Sequence, residues 1–234
     1  MSEIIVALDV EDGTAARGLV SSLRGEIGWF KVGSRLFTAE GPGVIGMVRD
    51  AGGSVFLDLK FHDIPATVAG SVRAACSHGI SMLTVHTAGG KEMMRAAAEA
   101  AGESGAGRPL VVGVTVLTSM TSADLSDVSA YRGEVEDLVT RRAEKAVEAG
   151  LDGVVASVHE AAVIRARMGA DFVVVTPGIR PEGSGSQDQK RVSTPDAAVR
   201  AGADYLVVGR PIYQASSPVD AARAIRAGIE GSRG

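Results

Sequence analysis

Aromatic residues are scarce in this chain, 4% of 234 positions, and cysteine is nearly absent, with Cys76 alone. A lone cysteine cannot close an intramolecular disulfide, which excludes a disulfide-built scaffold and points to a reducing compartment. Flanked by Ala74-Ala75, it reads as a small packing residue. No apolar run approaches the roughly 20 residues that a bilayer-crossing helix needs, and Met1-Ser2-Glu3 leads into a strand-like run with no basic segment before it. A soluble, cytoplasmic protein without membrane contact is expected. Neither sign of charge dominates: Lys+Arg 24 against Asp+Glu 28 gives a formal net charge of -4, with no block of like charge, so nucleic acid is not an expected partner.

What the chain does have is aliphatic residues and glycine. Hydrophobic residues make up 45% and Gly 30 positions, which predicts a Val, Ile, Leu and Ala core with many tight turns, the composition of an α/β protein. Short β-branched runs recur at 4–9, 29–33, 54–60, 82–86, 110–117, 153–156, 172–176 and 205–208. Helical stretches follow them at 13–24, 36–51, 66–78, 91–101, 134–149, 160–168, 195–201 and 219–229. Glycines at 52–53, 79, 150, 169 and 202 stand where helices should end. The strands are near-continuous apolar runs, as a parallel sheet covered on both sides requires. Eight βα units without a linker predict one (β/α)₈ barrel over the whole chain, 1–234, in preference to an open doubly wound sheet.

Polar residues collect where the strands finish: Asp9, Lys31, Asp58 with Lys60, His86, Thr115 with Thr118, Thr176, and Gly209-Arg210. Barrel enzymes carry their chemistry at that end. The densest stretch is Asp58-Leu59-Lys60-Phe61-His62-Asp63-Ile64-Pro65. Alternation puts Asp58 and Lys60 on one face of the strand, and Asp63 on the connection above it, so two carboxylates could flank one ammonium. Such a cluster is either a structural ion-pair network or a reaction centre. His62 and His86 read as hydrogen-bonded structural histidines, and Met47, Met93 and Met94 as helix packing. After the seventh strand, residues 177–189 are too long and too rich in glycine and serine for a mere connection, and read as a mobile lid or a surface loop. Gly209 and Arg210 follow the eighth strand, offering a bare N–H and a guanidinium either to a phosphate or to solvent.

Taken together, Ala7-Leu8-Asp9, Lys31-Val32-Gly33, the octapeptide from Asp58 to Pro65, Val116-Leu117-Thr118-Ser119-Met120, Pro177-Gly178-Ile179-Arg180 and Val208-Gly209-Arg210-Pro211 resemble the orotidine 5'-phosphate decarboxylase family over nearly the whole chain. The resemblance implies cofactor-free loss of carbon dioxide from orotidine 5'-monophosphate to give uridine 5'-monophosphate. It implies that Lys60 stabilises the C6 carbanion and protonates it, that Asp58 lies against the departing carboxylate, and that Lys31 and Asp63 complete an alternating charge chain. Asp63 and its neighbours would serve the partner's site in a homodimer. Asp9, Lys31 and Thr67 match ribose contacts and Thr118 a pyrimidine contact. Arg180, Gln189, Gly209 and Arg210 match the phosphate grip; Gln189 is preferred over Gln187 because Lys190-Arg191 follows it. The related sugar-phosphate barrels, 3-keto-gulonate-phosphate decarboxylase and hexulose-phosphate synthase, hold magnesium with a carboxylate on the second strand. Lys31 stands there in this chain, which argues against that alternative. A non-catalytic phosphometabolite-binding barrel should have lost a member of the Asp58, Lys60, Asp63 set, and none is missing.

Overall fold

A computed structural model of the protein describes residues 2–181 and 193–231. Eight parallel strands, β1 (Glu3–Ala7), β2 (Trp29–Gly33), β3 (Ser54–Phe61), β4 (Met82–His86), β5 (Leu110–Val114), β6 (Gly153–Val155), β7 (Val173–Thr176) and β8 (Tyr205–Val208), follow one another around a closed barrel. Closure is explicit in the pairing of β1, which lies against β2 on one side and β8 on the other. The expected (β/α)₈ barrel is therefore the observed one.

The helices are α1 (Gly13–Ser22), α2 (Ser34–Glu40), α3 (Gly43–Asp50), α4 (Pro65–Ser77), α5 (Gly90–Gly102), α6 (Ser122–Ser129), α7 (Val135–Glu148), α8 (Val158–Met168), α9 (Pro195–Arg200), α10 (Arg210–Tyr213) and α11 (Pro218–Gly231). Among the described residues, none is long and apolar enough to cross a membrane. The single helix predicted over 36–51 is two, because Gly41 turns out at φ +66° and Pro42 brings no N–H to continue the ladder. α6 was not predicted; its start is a capping box in which Thr121 and Asp124 satisfy each other's backbone N–H. At α4 the signal was plain: Ile64, held extended by the proline after it, caps a helix whose first turn contains Pro65.

Side-chain alternation sorts the strands into two cores. Ile5, Ala7, Phe56, Met82, Val112, Val175 and Val207 point inward and fill the barrel. Ile4, Val6, Phe30, Val55, Leu83, Val111, Val174 and Leu206 point outward beneath the helices. Each fully buried Val, Leu or Phe contributes about 1.5–3 kcal/mol of transfer free energy. Because the inward layer is sealed by apolar residues, the open end of the barrel is the C-terminal rim.

Candidate active site

The site is centred on β3, whose regular pairing breaks at its charged residues. Phe56 lies opposite Met82 and Leu57 opposite Leu83, yet the next pair is Phe61 with Val85. Four steps along β3 match two along β4, so residues 58–60 bulge out of the ladder. Lys60 takes φ +53°, a left-handed conformation that costs a residue with a Cβ about 1–2 kcal/mol. Its N–H, lost to the ladder, donates instead to Thr84 Oγ1 on β4 at 2.8 Å. The Thr84 hydroxyl in turn donates a hydrogen bond to Asp58 Oδ1 at 3.0 Å. Asp58 and Lys60 do share one wall, as alternation predicts, but a bulge rather than a flat strand puts them there.

Lys60 Nζ lies 2.8 Å from Asp58 Oδ1, and Lys31 Nζ lies 3.5 Å from Asp58 Oδ2 and 3.3 Å from Asp9 Oδ1. Charges therefore alternate in sign along Asp9, Lys31, Asp58 and Lys60. Gly33, two residues along the Lys31 face, leaves the room this needs: a Cβ there would come within 2.9 Å of Lys31 Nζ and 3.3 Å of Asp9 Oδ1. The Lys31 and Asp58 side chains are only 11% and 14% exposed, so the pair is nearly desolvated. Burial pushes the Asp58 carboxyl up, but the charges of Lys31 and Lys60 and the hydrogen bonds from Lys60 and Thr84 outweigh it and hold it below its ordinary value. Burial likewise pushes Lys31 down, and Asp58 and Asp9 more than reverse it. Both groups are ionised at neutral pH.

These side chains form one wall of a cavity of about 380 Å³ at the C-terminal ends of the strands, large enough for a small-molecule ligand. Ala7, Phe56, Val114, Val155 and Val207 supply an apolar floor, and Leu117 and Thr118 a side. Arg180, Gly209 and Arg210 line the same cavity, with Gly209 next to the charge chain: a Cβ there would lie 4.0 Å from Asp9 Oδ2. Arg180 is held by a short bridge in which its N–H donates to Ser193 O at 2.9 Å. Its side chain is buried, and among the described residues its Nε has no acceptor. A buried guanidinium donor without an acceptor beside a cavity suits an anion. Gly209 caps the short α10, its carbonyl accepting the N–H groups of Ile212 and Tyr213 at 2.9 and 3.2 Å.

Of the residues singled out in the sequence, Asp9, Lys31, Asp58, Lys60, Thr118, Arg180, Gly209 and Arg210 line this cavity. Asp63 and Thr67 do not. Asp63 is exposed and turns its carboxylate back onto the N–H of Ile64 at 2.6 Å, without an ion pair to Lys60. The expectation that two carboxylates of one chain flank Lys60 is therefore corrected: after the bulge the chain turns outward into α4 and carries Asp63 with it. Thr67 is exposed in the first turn of that helix. Gln187 and Gln189 lie outside the described residues. Thr115 and Thr176 sit at strand ends but are buried away from the cavity, Thr115 donating to Val155 O at 2.8 Å. His86 stacks on His62 with ring centroids 5.3 Å apart and accepts the N–H of Ala88, in keeping with a structural role. Sequence reading missed Arg35 and Tyr213, which line the cavity from the first turn of α2 and from α10. It also missed Thr84, whose hydroxyl in an apolar strand carried no visible signal.

Residues 2–225 match the family described as orotidine 5'-phosphate decarboxylase / HUMPS. The chain belongs to this family. A relative from Moorella thermoacetica named orotidine 5'-phosphate decarboxylase is 54% identical, with 97% of this chain and 92% of the relative covered. Another of that name, from Syntrophotalea carbinolica, is 52% identical over 95% of this chain and 93% of its own length. The crystal structure of orotidine 5'-phosphate decarboxylase from Lactobacillus acidophilus superposes with a TM-score of 0.88 at 35% identity, covering 98% of this chain and 99% of that one. Family membership extends over the barrel and every described cavity residue, including both arginines and the charge chain.

Proposed function

We propose that this protein is an orotidine 5'-phosphate decarboxylase, a carboxy-lyase that converts orotidine 5'-monophosphate to uridine 5'-monophosphate and carbon dioxide in pyrimidine nucleotide synthesis, with the whole chain as its catalytic barrel. The observation that carries this reading is the alternating chain Asp9, Lys31, Asp58, Lys60 in a cavity that Arg180 and Arg210 also line. The arginines and the Gly209 turn take the phosphate, with Gln189 as a further contact. Asp9 and Lys31 take the ribose, and Thr118 the pyrimidine edge. The bond from C6 to the carboxylate carbon then breaks, its electron pair stays on C6, and carbon dioxide leaves. Lys60 faces the developing carbanion and transfers a proton from its ammonium to C6, and solvent reprotonates the amine.

Electrostatics makes this feasible without a cofactor. Like charges about 4 Å apart at an effective dielectric near 20 repel by roughly 4 kcal/mol, so placing the substrate carboxylate beside Asp58 contributes up to about a thousandfold. The rest comes from Lys60, already aligned by Asp58, and from phosphate binding used to hold the base in place. Lys31 also speaks against a magnesium-dependent phosphosugar reaction, because its ammonium occupies the space between Asp9 and Asp58 where a cation would sit.

Asp63 and Thr67 point away from their own cavity, and Ile64 between them is 67% exposed. On this reading they serve the site of a second copy, and the protein is a cytoplasmic homodimer. Mixing Asp63→Ala with Arg210→Ala protein, each inactive, should restore partial activity; none despite proven subunit exchange would refute the sharing. The activity itself is tested by following ultraviolet absorbance of orotidine 5'-monophosphate with and without a chelator. Loss of absorbance indifferent to chelator is expected; no change, or one that the chelator abolishes, would overturn the assignment.

A further inference from the structure

Thr84 is fully buried on β4 and is absent from the cavity lining, yet it touches the reaction centre through two bonds of fixed direction. A hydroxyl has one proton to give and lone pairs to receive with. Asp58, kept ionised by its lysines, is acceptor-only, so in the 3.0 Å bond to its Oδ1 the Thr84 hydroxyl is the donor. The backbone N–H of Lys60 is donor-only, so the 2.8 Å bond ends on a Thr84 lone pair. Both bonds meet where β3 leaves register with β4 and where Lys60 adopts φ +53°. A left-handed lysine persists only where its surroundings over-determine it. Here the surroundings include a single side-chain oxygen.

We infer that Thr84 is a positioning residue for the decarboxylation: its hydroxyl locks the left-handed backbone of Lys60 and the Oδ1 edge of Asp58 to each other, so that the ammonium meets the reacting carbon in one place. This rests on the function proposed above, but the geometry it describes exists without substrate. Asp58 Oδ1 receives both the Thr84 hydroxyl and the Lys60 ammonium, whereas Oδ2 faces Lys31. One edge of the carboxylate is thereby committed to holding Lys60. Without the hydroxyl, the part-buried Lys60 N–H loses its acceptor and the backbone has reason to relax out of the left-handed conformation, which would carry the ammonium away from its present place. The groups facing Asp58 that set its ionisation are Lys31, Lys60 and Thr84, so losing Thr84 also removes one of the forces that depress its pKa.

The test compares Thr84→Val, which keeps the shape and deletes the hydroxyl, with Thr84→Ser, which keeps the hydroxyl and deletes a methyl. In Thr84→Val, kcat should fall roughly 10- to 100-fold with KM changed less than about threefold, the size of a lost hydrogen bond to a charged group. The acid limb of its pH profile should move to higher pH. Thr84→Ser should stay within about fivefold of the parent with the parent's acid limb. A merely structural role would lower the thermal midpoint of Thr84→Val but leave its kcat and acid limb unchanged well below that midpoint, and this would overturn the inference. Should Thr84→Val not fold, Thr84→Cys, similar in size but a poor hydrogen-bonding group, takes its place. A kcat close to that of Thr84→Ser would likewise overturn the inference, and a loss tenfold or more beyond it would support it. An inactive parent protein with orotidine 5'-monophosphate would sink the proposed function instead. The geometric claim can then still be read from product-free protein by the amide shift of Lys60, which should move in Thr84→Val and not in Thr84→Ser.

Discussion

Two layers of inward-facing side chains lie one above the other in this barrel, and they share strands but not physics. On β3, Phe56 fills the interior while Asp58, two residues on, is ion-paired at the rim. On β4, Met82 belongs to the interior cluster and Thr84 to the charge network. The lower layer is held by contact and exclusion of water, which tolerate any well-fitting apolar shape. In the upper layer, stability is given up for placement: a bulge, a left-handed lysine and two nearly desolvated charges are each unfavourable alone and persist because they satisfy one another. A strand regular at the base and irregular at the rim is thus what a scaffold with a reaction centre requires.

If the layers differ in this way, substitutions in each should fail differently. Lys60→Ala should show the largest effect: turnover falls by about a thousandfold or more, above roughly 4 kcal/mol of barrier, while affinity for uridine 5'-monophosphate and the thermal midpoint stay close to the parent. Loss of folding would mean instead that Lys60 belongs with the structural layer. Met82→Ala, below the rim, should do the reverse, costing about 2–5 kcal/mol of unfolding free energy in a denaturant titration and changing kcat by less than about threefold at 25 °C. A kcat loss as large as the stability loss would blur the distinction between layers.

The smallest effect should be a pH dependence confined to the rim. His86 is pushed down to about 4, first by burial and then by the charges of Arg142, His62 and Lys60. Between about pH 6.5 and 4 the unfolded chain binds a proton that the folded chain refuses, so stability falls as pH falls through that window and this contribution levels off below it. For a half-buried group this amounts to about 1–2 kcal/mol after allowing for solvent screening. His86→Gln should flatten the stability curve between pH 7 and 5 by part of that amount, measured by urea midpoints. An unchanged slope would assign the pH dependence elsewhere.

Much of this was legible from residue order. β2, β4 and β8 run where the apolar runs place them, and the helix after Pro65 begins where the proline says it should. Asp9, Lys31, Asp58, Lys60 and Arg210 were legible as a site because charged residues ending apolar runs have few purposes other than a rim, whereas Arg180, in the loop after the seventh strand, was legible only through the family resemblance. Thr84 was not, because a threonine in a β-branched run looks like any strand residue until its neighbour across the ladder is known. Asp63 misled for a related reason: three residues from Lys60 is close in sequence, but an outward turn separates them.

Sequence alone determined what depends on local periodicity: eight alternating units, the inward and outward faces of each strand, and the residue types gathered at one end. Period-two alternation and proline or glycine punctuation act over a few residues, so they can be read without partners. Only the tertiary structure decided the register between β3 and β4, the left-handed Lys60 and the choice of Thr84 as its acceptor. Those depend on which atom of a distant segment stands within hydrogen-bond reach, and no pattern confined to one strand carries that distance.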